Sequence, residues 1–167
     1  MNLLEGSNLL NQIADSKRLA SVNYEKALSL MLVLEKPSQI PIPGCLKLEN
    51  ELVSWIADNS KKDGFSDEYC ITVHANPKYA DATWNEQNSI VANAMIESIQ
   101  LLLGSKIIDW HIHRWLYAFA KNPFKTAFYR EANMQLTIAG DAFISSRVES
   151  AALSGISAAE TLIQSFK

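Results

Sequence analysis

The sequence predicts an α/β (α+β) fold: a mixed, largely antiparallel sheet crossed by one helix, then a last strand and helix that read as half of a βαβ arrangement. Three observations predict it. Apolar residues run or alternate in four segments before residue 121, the first of which read as strands joined by turns. The apolar period lengthens to three or four over residues 83–103, and small and apolar residues follow a helix-start pattern again after residue 146. The chain of 167 residues suits one domain, or one with a small attachment. The expected division is a sheet-and-helix part at 1–133 and a strand–helix part at 134–167.

Residues 8–19 have the pattern of a short amphipathic helix. "YEKALSLMLVLE" is an apolar stretch bounded by Pro37, Pro41 and Pro43, which reads as a buried strand. "ELVSWIADNS" is a second strand, ended by the polar run 59–64 that closes on Gly64. "YCITVHANP" alternates until Pro77 stops it. Over 83–103, Val91, Met95, Ile99 and Leu102 recur at helical spacing; Thr83 with Glu86 offers a capping box, and Gly104 a stop. "IIDWHIHRWLYAFA" is rich in β-branched and aromatic residues, as a long strand requires. "MQLTIAG" is a short strand leading to the final helix.

Composition limits the function classes. The net charge of −3 and the absence of a basic run beyond Lys61-Lys62 argue against a nucleic-acid partner. The apolar run 27–34 is far shorter than the roughly 20 residues of a membrane-spanning helix, so no membrane role is expected. The first residues lack the basic and apolar regions of a secretory signal, and a soluble, cytoplasmic chain is expected. The two cysteines, Cys45 and Cys70, lack metal-ligand spacing.

The last segment carries the most chemistry. Ser146 and Glu149 fit a capping box, which contributes about 1 kcal/mol and sets the helix start. That start offers free backbone N–H groups and partial positive charge. Ala151, Ala152, Gly155, Ala158 and Ala159 are small, whereas Leu162, Ile163 and Phe166 are large, so close approach is expected at the start only. Gly155 costs about 1 kcal/mol against alanine in a helix interior, which asks for a close neighbour. Asp141 follows the strand end, where α/β folds present polar groups to ligands. A plain capped helix packed on a strand accounts for the same spacing.

"AGD" followed by "RVESAALSGISAAETL" resembles the C-terminal flavin-binding signature of FAD-dependent amine oxidases, in particular the renalase-like oxidoreductases of bacteria. "YEKALSLMLVL", "SWIADNSKKDG", "ITVHANPKY" and "HRWLYAFA" resemble segments of that family in the same order, so the likeness spans residues 22–166. The resemblance implies a substrate-domain sheet and the last strand and helix of a Rossmann-like FAD-binding unit. It implies that Asp141, after Gly140, bonds the ribityl chain of FAD. It implies that the backbone of Val148, Glu149, Ser150 and Ala151 meets the flavin ring, and that Trp115 and Tyr117 face a small-molecule substrate. Ser150 stands where the family usually has glycine, and Leu116 where arginine is expected.

Such enzymes begin with G-x-G-x-x-G, which holds the pyrophosphate. This chain has six glycines, none within ten residues of another, so that loop is absent. The chain therefore resembles the C-terminal half only. An N-terminal nucleotide-binding chain or self-association is expected, with little activity in isolation; a non-catalytic interaction module derived from such an enzyme is the alternative. No catalytic residue is assigned. Asp109, His111 and His113 share one strand face but lack a fourth ligand for zinc, so no metal is expected. His74 is a candidate general base or a structural histidine. Lys61 and Lys62 read as a solvated turn.

Overall fold

The computed structural model describes residues 6–62 and 68–165. Gly64 and Phe166, to which the sequence assigns a turn and a packing role, lie outside the described residues. The fold is mixed α/β with antiparallel strand pairing. The chain divides into two compact units, Lys26–Leu116 and a second one formed by Met1–Glu25 with Tyr117–Lys167. Residues on both sides of position 133 thus belong to the second of these.

In the Lys26–Leu116 unit, five strands line up in the order β2-β3-β4-β1-β5. They are β1 (Tyr24–Leu34), β2 (Cys45–Lys47), β3 (Val53–Asp58), β4 (Tyr69–Ala75) and β5 (Ile107–Ala120), of which β1 and β5 run on into the other unit. β1 pairs antiparallel with β4, with Leu30 opposite Val73 and Leu32 opposite Ile71. Strand alternation then puts Leu28, Leu30, Leu32 and Leu34 on one buried face. Val53, Ile56, Ile71, Val73 and Ile112 join them, and the helix Asn88–Leu103 supplies Val91, Ala92, Met95, Ile99 and Leu103 to the same core. Each such side chain contributes roughly 1.5–3 kcal/mol when fully buried.

That helix is α3 in chain order, after α1 (Ser16–Ala20) and α2 (Pro77–Ala82). Its end follows expectation: Gly104 takes φ 56° and its N–H donates to the Gln100 carbonyl at 3.4 Å. Its start does not. Thr83 caps the C-terminus of α2 instead, its hydroxyl donating to the Tyr79 carbonyl at 2.7 Å. Residues 84–87 connect α2 to α3, and Arg114 of β5 grips this connection and the first residue of α3. The guanidinium donates to the carbonyls of Trp84 and Glu86, both at 2.9 Å, and to Asn88 Oδ1. Pro77 both stops β4 and opens α2 as its first residue, behind an Asn76 side chain that accepts from the Lys78 N–H at 3.0 Å. The expected helix at 8–19 is a 3₁₀ turn, Leu10–Gln12, and the short α1.

Asp58, 1% exposed at the end of β3, organises the neighbouring loop. The Ser38 hydroxyl donates to its Oδ2 at 2.6 Å, the Ser60 N–H and hydroxyl donate to Oδ1 at 3.0 and 2.5 Å, and Lys61 Nζ stands 3.5 Å away. Lys61 also donates to the Ile40 carbonyl, so it is a tie between loops and not a solvated turn residue. Burial alone pushes the Asp58 carboxyl up, but the bonds from Ser38 and Ser60 and the Lys61 charge outweigh it and hold the carboxyl below its ordinary value.

A carboxyl held low only in the folded state stabilises above its unfolded value, and that stability is lost as pH falls through its folded value. Urea unfolding of Asp58→Asn at pH 7 should show a loss of about 2 kcal/mol, the scale of a hydrogen-bonded charge. The gap between mutant and parent should narrow on acidification below pH 4.

Candidate functional site

The site is built in the unit that holds both chain ends. Its core is Ile13, Leu19, Phe124 and Phe143, with Val22, Tyr129, Leu136 and Ile138 packed against them. β6 (Tyr129–Glu131) and β7 (Leu136–Ile138) form an antiparallel pair, Tyr129 opposite Ile138 and Glu131 opposite Leu136. The strand before the Gly-Asp turn is therefore supported by a neighbour that the sequence reading did not contain. That pairing is antiparallel, unlike the half-βαβ arrangement expected there.

Beyond β7 the chain turns at Gly140, whose φ of 141° lies in a region side chains rarely adopt. A Cβ there would meet nothing within 4 Å, so backbone conformation, not crowding, calls for glycine. The Gly140 N–H donates to Ser154 Oγ at 2.9 Å, tying the turn to α4 (Val148–Ser165). The chain then returns past Phe124: the Phe124 N–H donates to the Ala142 carbonyl at 2.8 Å and the Ile144 N–H to the Phe124 carbonyl at 2.7 Å. The Phe124 and Phe143 rings stack with centroids 5.2 Å apart, and the Arg18 guanidinium lies 4.9 Å from the Phe124 centroid.

These elements enclose a cavity of about 400 Å³. Gly140 and Asp141 line it, together with Tyr24, Thr137, Phe124 and Phe143. Two oxygens face an open question there. Thr137 Oγ1 is buried and has no hydrogen-bond partner, an exception that calls for an explanation in a folded protein. The Tyr24 hydroxyl stands 3.5 Å from Asp141 Oδ1, at the outer limit of a hydrogen bond. Burial first, then the Asp141 charge and this contact, push the Tyr24 phenol above its ordinary value. The Tyr117 ring meets the Tyr24 ring edge-on, with centroids 5.5 Å apart.

The other anticipated residues are placed differently. Among Val148, Glu149, Ser150 and Ala151, none lines the cavity. Val148 is 90% exposed, Ser150 is buried with its hydroxyl 2.6 Å from that of Ser145, and the Ala151 N–H donates to the Arg147 carbonyl at 3.0 Å. The Ser146 capping box does not form, because the Ser146 hydroxyl accepts from the Ala120 N–H at 2.9 Å. The buried stripe of α4 is Ser150, Ser154 and Ala158; Ala152, Gly155 and Ala159 are exposed, and a Cβ on Gly155 would meet nothing within 4 Å. The close neighbour expected at Gly155 is thus not present among the described residues.

In the Lys26–Leu116 unit, Trp115 is half exposed and its Nε1–H donates to Ser29 Oγ at 3.2 Å. Ser29 Oγ is 3.0 Å from His74 Nδ1, and the His74 ring stacks on Trp55 at 5.1 Å. Burial holds the His74 imidazole below its ordinary value, which favours the neutral ring. Asp109, His111 and His113 are exposed, His113 lying 4.2 Å from the Trp115 ring. Among the described residues no group of three or more His, Cys, Asp or Glu side chains is placed to hold a metal ion. Nor is any described helix long and apolar enough to cross a membrane. Sequence reasoning missed Tyr24, Thr137 and Phe124; an aromatic residue opening a strand was the one available signal.

No protein-family model matches the sequence. The site accordingly rests on its own geometry. A difference titration of tyrosine absorbance between the parent and Tyr24→Phe should show Tyr24 ionising above pH 10. In Asp141→Asn the same titration should move down towards the ordinary value; an unmoved titration would contradict the pairing.

Proposed function

We propose that the unit carrying both chain ends forms the sugar-alcohol side of a flavin site, and that the chain acts as the C-terminal part of an FAD-dependent, amine-oxidase-like oxidoreductase. The observation that carries this reading is the meeting of Gly140, Asp141, Thr137 and Tyr24 around one cavity. Its volume of about 400 Å³ falls in the range of about 300–1,000 Å³ usual for small-molecule sites. The lining suits a polyol: the Asp141 carboxylate accepts hydroxyl protons, and the Thr137 hydroxyl, buried in the wall without a partner, leaves a hydrogen bond unmade beside it.

The fit is partial. Asp141 suits a ribityl chain, whereas no glycine-rich loop is present for a pyrophosphate. Another polypeptide segment or chain is needed for that half. When bound, flavin supplies hydride acceptance from an amine or a reduced nicotinamide-type donor. The chain's own part is to bind and orient: Asp141 fixes the polyol, Tyr24, braced by the Tyr117 ring behind it, walls the position, and the Phe124–Phe143 pair excludes water from one side. Lys61 takes no part, being committed to Asp58 and Ile40.

A second reading, a non-catalytic interaction module, is favoured by exposed apolar residues. β5 is an edge strand exposing Trp110, Leu116, Tyr117 and Phe119, and α4 exposes Leu153, Ile156 and Ile163. Edges and patches of this kind usually mark interfaces.

Titration of the purified chain with riboflavin and with FAD, followed by flavin fluorescence, separates the readings. The flavin reading predicts saturable binding of both, with riboflavin no more than about tenfold weaker because the pyrophosphate gains little here, and loss of about tenfold or more in Asp141→Ala. Absence of binding by either, or binding indifferent to Asp141, favours the interaction module.

A further inference from the structure

A second cavity, of about 280 Å³, opens across β4, β1 and β5 in the Lys26–Leu116 unit. Met31, Cys70, Thr72, Asp109, Trp110 and His111 line it. Met31 stands between the buried Leu30 and Leu32 and is itself 39% exposed, so strand alternation puts the cavity on the sheet face opposite α3.

Three features define what it can hold. First, among the described lining side chains the Asp109 carboxylate is the one formal charge, with no lysine or arginine among them. The Trp110 backbone N–H donates to Asp109 Oδ1 at 2.8 Å and fixes the carboxylate at the rim. Second, the remaining polar wall is committed within the protein. Asn59, which also lines the cavity, donates to Thr72 Oγ1 at 2.8 Å and accepts from Lys62 Nζ at 2.7 Å. The Lys62 ammonium is thereby held on Asn59. Third, the partly exposed Trp110 and Met31 are also among its lining residues, and an indole and a thioether both favour soft or cationic groups.

A metal ion does not suit this set. Cys70, Asp109 and His111 share the cavity, yet no three His, Cys, Asp or Glu groups among the described residues converge on one point. The volume lies just under the lower end of about 300 Å³ for drug-sized ligands, which asks for a ligand of few atoms. We propose that this cavity binds a small alkylammonium ion, its charged head on Asp109 and its hydrocarbon chain against Trp110 and Met31. The site lies in the other unit from the flavin cavity and does not rest on the flavin reading.

The test is calorimetric titration of the full chain with butylammonium chloride, against sodium butyrate and 1-butanol at matched salt. Saturable binding of butylammonium alone is expected, weakened about tenfold or more in the isosteric Asp109→Asn and about fivefold in Trp110→Leu. Circular dichroism of both variants checks that they fold. Equal binding of butanol, butylammonium binding unchanged in Asp109→Asn, or no saturable binding at millimolar ligand overturns the proposal. Because no flavin enters the experiment, its outcome is independent of the flavin titration.

Discussion

The hydrogen bond from the Gly140 N–H to the Ser154 hydroxyl is the contact on which the candidate site depends. Gly140 turns the chain at a φ open to glycine at little cost, and Ser154, fully buried on α4, holds that turn in place. The two sit fourteen residues apart, so the bond closes the loop between β7 and the helix. With the loop closed, Asp141 faces Tyr24, Phe143 stacks on Phe124, and Thr137 adds to the cavity wall. Without it, a partly buried N–H would lose its partner, a cost of about 1 kcal/mol. The helix is therefore slim along Ser150, Ser154 and Ala158 because hydroxyls, not a large apolar surface, meet the loop there.

The three carboxylates of interest have different tasks because they meet different partners. Asp58 is enclosed and saturated by Ser38, Ser60 and Lys61, which makes it a structural anchor for the loop around Ile40. Asp141 meets a phenol at long range and a cavity wall, an arrangement able to exchange partners. Asp109 sits at the rim of a separate cavity whose other described lining side chains are neutral. A buried, satisfied charge specifies a fold, whereas a carboxylate beside open space offers binding.

Much of this was legible in the residues. The apolar run of β1 and the αL stop at Gly104 are local signals, and both appear where expected. The start of α3 was not local: Arg114, contributed by a strand 26 residues after Asn88, grips the turn that the Thr83–Glu86 pattern was expected to cap. The Ser146 box failed similarly, since Ala120 takes its hydroxyl from 26 residues away. β2 and β6 have three residues each, too few for a period to declare itself. Gly140 and Asp141 were readable as a turn after a strand. Their partner Tyr24 was not, being 117 residues from Asp141 and marked only as an aromatic residue opening a strand.

The most direct measurement is a map of backbone amide shifts in the labelled chain as riboflavin is added. The account predicts that the largest perturbations fall on Thr137, Gly140, Asp141 and Ala142, the backbone around the cavity, with Tyr24 following. Perturbations centred elsewhere, or an unchanged spectrum at millimolar riboflavin, would contradict it.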